Sequence, residues 1–214
     1  MTTDKTIELT RIAARDGGAK LSFSVKITEG GASTTQVLTA FASRVAHLPR
    51  VGALTEEALE ALTAEDAYTK ALDTGLRVLG ASALSRAQLV QKLVARGVKR
   101  TLATEVAAEL WARGFGNEQE GALSVARRDL QKLWGDRRIL ADLRAKGYGT
   151  EAIETARELL DGEDAVARCA RLIVKKYKAC YGDEAALSRT VAALSRYGYT
   201  PREIKAGLLC ARKK

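Results

Sequence analysis

One phrase, written three times, constrains this 214-residue chain more than any other feature. It reads LVARGVKRTLATEVAAEL from Leu93, LRAKGYGTEAIETARELL from Leu143 and LSRYGYTPREIKAGLL from Leu194. The glycines that align the copies are Gly97, Gly147 and Gly198, 50 and 51 residues apart. Four residues before each glycine stands Leu93, Leu143 or Leu194, and one residue after it Val98, Tyr148 or Tyr199. A helix that ends in a left-handed residue favours glycine there, because a Cβ would clash with the following carbonyl. In that ending the residue after the glycine packs against the leucine. Thr101, Thr150 or Thr200 then leads a second helix. Each copy is therefore a helix, a glycine turn and a helix, and the copies share no side chain able to do chemistry.

A longer helical stretch precedes each pair: Glu65 to about Leu79, Glu118 to Leu133, and Glu163 to Cys180. The unit of repetition is thus three helices in about 50 residues, which buries its apolar face on itself and on its neighbours. The expected fold is mainly α, an elongated array of three tandem three-helix modules behind a small N-terminal β-hairpin plus helix. The expected boundaries are 1–62 for the hairpin and helix, then 63–117, 118–162 and 163–214 for the modules.

In the N-terminal part Ile7–Ile12 reads as a strand and Asp16-Gly17-Gly18 as a turn. Leu21, Phe23, Val25 and Ile27 alternate with polar residues, as in a half-buried strand. After Gly30-Gly31, the spacing of Val37, Leu38, Phe41 and Val45 predicts a helix that Pro49 ends. From Thr55 onward the chain reads as helix. Thr63 with Asp66, Ser85 with Gln88, Asn117 with Glu120, and Thr200-Pro201-Arg202-Glu203 have the pattern of helix caps with reaching partners.

Little here supports catalysis. With one histidine, His47, no Ser-His-Asp or Cys-His arrangement can be drawn, and Gly114-Phe115-Gly116 lacks the rest of any phosphate-loop fingerprint. His47 reads as structural. Glu56-Glu57 and Asp183-Glu184 fall at helix starts, where the dipole favours acids. Trp111 and Trp134 read as packing residues. Cys169, Cys180 and Cys210 are widely spaced and read as small buried apolar residues of a reducing cytoplasm rather than thiolate ligands. No catalytic residue, metal site or cofactor is expected. MTTDKTIELT has no charged start followed by an apolar run, so no signal peptide is read, and no apolar run reaches membrane-spanning length.

Charge is more informative. The formal net charge is +9, but residues 1–62 carry 7 basic and 7 acidic side chains while 163–214 carry 12 and 5. Such an excess points to an anionic partner, nucleic acid or an acidic protein groove, although solubility alone would also be served. Arg168, Arg171, Lys175 and Lys178 fall at helical spacing, opposite Val166, Ile173 and Tyr177. A solvated face would look the same, but interleaved acids are missing. Arg127, Arg128, Lys132, Arg137 and Arg138 form a second basic cluster. Arg96, Lys99 and Arg100 lie at the first glycine turn, and Arg144 and Lys146 at the second. These residues are the candidate partner- or nucleic-acid-binding surface.

From about Asp66 onward the chain resembles the RecX family of bacterial recombination regulators. The resemblance is carried by LVQKLVARG (Leu89 to Gly97), WGDRRILADLRAKGY (Trp134 to Tyr148) and LSRYGY (Leu194 to Tyr199), of which the middle run is the most specific. One departure is visible: Gly121-Ala122 stands where the family often has an aromatic-Ala pair. The resemblance implies a non-enzymatic regulator of recombination and the SOS response. Such proteins lie in the groove of the RecA filament on single-stranded DNA and suppress its ATPase, strand-exchange and coprotease activities. It implies a cytoplasmic monomer that contacts RecA and, weakly, single-stranded or duplex DNA, and no membrane. A DNA-binding repeat protein acting without RecA is the alternative, since each phrase superficially resembles a helix-turn-helix. Glu105, Glu109, Glu151, Glu154 and Glu158 on the second helices oppose it. A structural adaptor with an unrelated acidic partner is a third reading.

Overall fold

The computed structural model describes residues 5–212. Among the described residues the chain forms a four-stranded sheet followed by nine helices. The strands are β1 (Lys5–Arg15), β2 (Lys20–Glu29), β3 (Ala32–Phe41) and β4 (Gly52–Ala53), and the sheet order is β3-β2-β1-β4, antiparallel throughout. The helices are α1 (Glu56–Ala81), α2 (Arg86–Val94), α3 (Arg100–Ala112), α4 (Glu118–Gln131), α5 (Asp136–Ala145), α6 (Thr150–Asp161), α7 (Ala165–Lys176), α8 (Glu184–Arg196) and α9 (Pro201–Arg212). The chain divides into two compact units. One is built from Met1–Arg77 and Leu93–Ala107, the other from Val78–Lys92 and Ala108–Lys214.

In the first unit Ile7, Leu9, Phe23, Val25, Leu38 and Ala40 from the sheet enclose a core with Leu62 of α1. The helix expected around Val37 is a strand instead. Gly30 and Gly31 take φ of 59° and 81°, a two-residue hairpin that continues the chain antiparallel to β2. Leu38 and Ala40 then point inward while Val37 lies 55% exposed, an alternation that the polar run Ser33-Thr34-Thr35-Gln36 hides from the sequence pattern. The expected cap at Thr63 is also displaced, because α1 starts seven residues earlier, at Glu56, with Thr55 accepting from the Ala58 amide at 3.2 Å. Asp66 does not cap. Its buried carboxylate accepts the Thr39 amide of β3 at 2.9 Å and so ties the outer strand to the helix.

The second unit holds two cores. Ala122, Val125 and Ala126 of α4 meet Ile139 and Leu143 of α5 and Ile153, Ala156 and Leu160 of α6. Cys169, Leu172 and Ile173 of α7 meet Leu194 of α8, then Tyr199 and Ile204 of α9. Gly121 lets the Tyr148 ring lie across α4, since a Cβ there would come within 3.1 Å of it. The tyrosine from the second turn thereby fills space beside the position where the resemblance has an aromatic residue. Cys169 and Cys180 are buried as expected, but Cys210 is exposed on α9.

The glycine turns form as their spacing requires. Gly97, Gly147 and Gly198 have φ of 88°, 73° and 95°. The amides of Val98, Tyr148 and Tyr199 each donate to the leucine carbonyl five residues back at 3.2 Å, the bond of a left-handed helix ending. Two caps with their reaching partners match the sequence reading, Ser85 with Gln88 and Thr200 with Glu203. Asn117 caps by accepting from the Glu120 amide at 3.0 Å, but the Glu120 carboxylate pairs with Arg127 instead of reaching back.

The three glycines differ in their surroundings. A Cβ at Gly97 would meet nothing within 4 Å, but at Gly147 it would stand 2.6 Å from the Ala87 Cβ, and at Gly198 2.5 Å from the Arg138 backbone. Gly97→Ala should therefore cost only the left-handed strain, about 1–2 kcal/mol. Gly147→Ala and Gly198→Ala should each cost about 1–3 kcal/mol more through overpacking. Urea-unfolding midpoints of the three variants check the order.

Candidate partner-binding surface

Among the described residues no group of three or more His, Cys, Asp or Glu side chains could hold a metal. Burial pushes the Cys169 thiol up to about 12, so it carries no thiolate at neutral pH. Among the described residues no helix is long and apolar enough to cross a membrane.

The basic candidates do not all face solvent. Arg168 is 1% exposed. Its Nε donates to the Trp134 carbonyl at 2.9 Å and its Nη2 pairs with the Asp136 carboxylate. It cannot belong to an exposed stripe. It stands four residues before Leu172, about 40° away around the helix, so it lies at the edge of the face that α7 buries. Its apolar stem reads equally well on either side of that edge. Burial raises the Asp136 carboxyl above its ordinary range, against the pull of the Arg168 charge. The helical stripe is also cut short, because α7 ends at Lys176 and Lys178 stands on a separate 3-10 turn, Lys178–Tyr181. Arg171, Lys175 and Lys178 are exposed.

At the end of α4, Arg128 and, just past the helix, Lys132 pair with Asp129 at 3.1 and 2.8 Å. Asp129 is fully buried. Burial works to raise its pKa, but the hydrogen bonds from Lys132 and Arg128 outweigh it and hold the carboxyl below its ordinary range. Arg127 pairs with Glu120 at 3.1 Å, and Lys146 pairs with Asp142. Arg96, Lys99, Arg100, Arg137 and Arg144 are exposed.

To Lys132 and Arg138 of the second basic cluster the structure adds Lys176 and two rings, Tyr197 and Trp134, the latter read from sequence as a packing residue. Arg138 lies over the Trp134 ring at 3.8 Å from its centroid and beside the Tyr197 ring at 5.5 Å. Lys132 covers Trp134 at 4.8 Å, and Lys176 stands 5.4 Å from the Tyr197 centroid while donating to its hydroxyl at 2.9 Å. Lys132, Trp134, Arg138, Tyr197 and Lys176 thus alternate cation and ring over the α4–α5 connection, α5, the turn after α8 and the end of α7. The third glycine turn brings them together: the Gly135 amide donates to the Tyr197 carbonyl at 2.7 Å, and the Tyr199 hydroxyl to the Leu133 carbonyl at 2.9 Å. The signal was present in Trp134-Gly135 beside Arg137-Arg138 and in Tyr197-Gly198, but their meeting depends on tertiary docking.

A comparison with known proteins agrees with the motifs. The chain is similar to the regulatory protein RecX of Deinococcus radiodurans, 28% identical over 137 residues, which is 64% of this chain and 66% of that relative. The match therefore spans just under two thirds of the relative's length. A crystal structure of regulatory protein RecX superposes with a TM-score of 0.69 at 18% identity, covering 93% of this chain and 98% of the other. The resemblance to RecX holds in sequence and in fold. RecX from Lactobacillus salivarius superposes with a TM-score of 0.59 at 18% identity over 70% of this chain and 99% of its own. No family model matches the chain. WGDRRILADLRAKGY, the run that most resembles RecX, supplies both sides of the third turn's seat, Gly135 and Arg138, and the second glycine turn.

Arg168→Ala should lower stability by about 3 kcal/mol, because it leaves Asp136 and the Trp134 carbonyl without their partner. Arg171→Ala, which removes an exposed cation, should change it by less than about 0.5 kcal/mol. Chemical denaturation of the two variants distinguishes the buried from the exposed role.

Proposed function

We propose that this chain is a non-enzymatic regulator that binds the RecA filament on single-stranded DNA and lowers its ATPase, strand-exchange and coprotease activities. The observation that carries the reading is the likeness to proteins described as regulatory protein RecX, in sequence and across 93% of the chain in fold. The exposed cations Arg171, Lys175, Lys178, Arg137 and Arg144 support it, since an anionic filament surface would attract them. Repeated weak contacts along a polymer add through effective concentration, so no deep pocket is needed. On this reading the protein acts in the cytoplasm, as a monomer and without a cofactor.

The alternating stack of Lys132, Trp134, Arg138, Tyr197 and Lys176 favours a second contact, with single-stranded DNA itself. Cations would track phosphates beside the half-buried rings of Trp134 and Tyr197. A helix-turn-helix reading of the glycine turns is weaker, because Glu151, Glu154 and Glu158 are exposed on α6 and would meet phosphate.

The test is RecA-dependent ATP hydrolysis on single-stranded DNA. The wild-type chain should inhibit well below one copy per RecA. Reversing Arg171, Lys175 and Lys178 to Glu, with Arg168 left in place, should raise the concentration needed by about tenfold while far-UV circular dichroism stays unchanged. Unchanged hydrolysis at excess wild-type protein would refute the filament reading. DNA binding at nanomolar concentration in the absence of RecA would favour the direct DNA-binding alternative.

A further inference from the structure

We infer that the groove beside the first glycine turn is a docking site for an acidic, amphipathic helix of a partner protein. The groove lies within the first compact unit, between α1 and the turn that joins α2 to α3, and has a volume of about 960 Å3. That matches about two turns of a helix with its side chains. Its floor is apolar, formed by Leu59, Ala67 and Ala71 of α1 with Val98 and Leu102. Its rim is cationic. Lys70, Arg77, Arg96 and Lys99 line it, against the single acid Glu60. Lys70 is paired with Asp66 at 2.6 Å, but Arg77 and Lys99 make no ion pair among the described residues. Lys99 also stands immediately before α3, where the helix dipole adds positive potential.

The glycine turn itself suggests the form of the occupant. The second and third turns are each seated on the start of a helix: Gly147 on Ser85 and Ala87 at α2, Gly198 on Gly135 and Arg138 at α5. Those contacts leave no room for a Cβ. At Gly97 the same space is open. A helix laid against this turn would repeat a contact that the chain makes twice. Acidic residues on it would face Arg77 and Lys99, and an apolar stripe at i, i+3, i+4 and i+7 would cover the floor, as in helix-in-groove recognition. The inference goes beyond the filament reading and does not rest on it.

The experiment uses the full chain without RecA or DNA. The probe is a fluorescent 15-residue peptide of Glu, Ala and Leu, with the leucines on one helical face, titrated by anisotropy at about 0.15 M salt. Two controls have the same length: a permutation that scatters the leucines, and a version with Lys for Glu. The amphipathic acidic peptide should bind at least about tenfold tighter than either. The double variant Arg77→Glu, Lys99→Glu should weaken it by at least about tenfold, whereas Arg202→Glu, Lys205→Glu, exposed on α9 in the other unit, should leave it unchanged. Equal binding of the permuted peptide would reduce the effect to charge alone and overturn the inference. So would undiminished binding by the rim variant, or no measurable binding of any peptide. RecA inhibition by the wild-type chain, measured in parallel, separates failure here from failure of the filament reading.

Discussion

The carbonyl oxygen just before a glycine turn is the point on which the helical array hangs. In the second turn the Lys146 carbonyl accepts from the Ser85 hydroxyl at 2.6 Å, and in the third the Tyr197 carbonyl accepts from the Gly135 amide at 2.7 Å. Ser85 and Gly135 each stand 12 residues before the glycine of their own phrase, Gly97 and Gly147. The same seat therefore recurs in register, filled once by a hydroxyl and once by an amide. Each turn is accepted by the helix start that precedes the previous turn. Gly at the turn serves two needs at once: it permits a positive φ, and it removes the Cβ that would hold the two backbones apart. The third helix start does not offer this seat. The position 12 residues before Gly198 is Ala186, whose amide is taken by the Asp183 carboxylate at 2.5 Å. There α8 begins 14 residues before its glycine, whereas α2 and α5 begin 11 before theirs.

That docking sets which charges remain for a partner. Arg168 is taken inward to hold the Trp134 carbonyl and Asp136 beside the third seat. Arg128 and Lys132 offset a buried Asp129, and Lys146 is paired with Asp142 at the second turn. The net charge of +9 thus includes cations with internal duties. The outward field comes from the remainder, which in the second unit includes Arg137, Arg144, Arg171, Lys175, Lys178, Arg202 and Lys205. Substitutions that treat every Lys and Arg alike would mix loss of fold with loss of binding.

Much of the helical part was legible because its signals are local. A left-handed glycine, a leucine four residues back and a capping box act within one or two turns, and each reappears in the hydrogen bonds at Leu93, Leu143, Leu194, Ser85 and Thr200. The misreadings have a common cause, which is that tertiary contacts decided them. The strand β3 exists because β2 lies beside it and a Gly30-Gly31 hairpin turns the chain back, against a pattern that matches helix spacing by coincidence. Asp66 caps nothing in α1 and instead holds the edge of β3 through Thr39. Arg168 sits at the margin of its helix's buried face, where helical period alone cannot assign a long amphipathic side chain. Leu133 takes a φ of 59° without being glycine, and the Trp134 amide closes the same left-handed ending onto the Asp129 carbonyl at 3.2 Å. Its carbonyl is fixed by Tyr199 from the third glycine turn, a restraint that no local pattern carries.

The same seat that builds the fold also assembles the aromatic and cationic stack. Trp134 and Arg138 flank Gly135, and Tyr197 directly precedes Gly198, so the bond between Gly135 and the Tyr197 carbonyl brings them into one group. Losing the third seat would therefore cost the surface as well as the packing. Gly198→Ala should disperse this stack while leaving the first turn and its groove intact, because Gly97 and the groove belong to the other compact unit. Surface and scaffold are coupled at the third turn and separable at the first. Arg77 and Lys99 make no ion pair among the described residues, so a change there leaves the scaffold's ion pairs in place, whereas one at Gly198 alters scaffold and surface together.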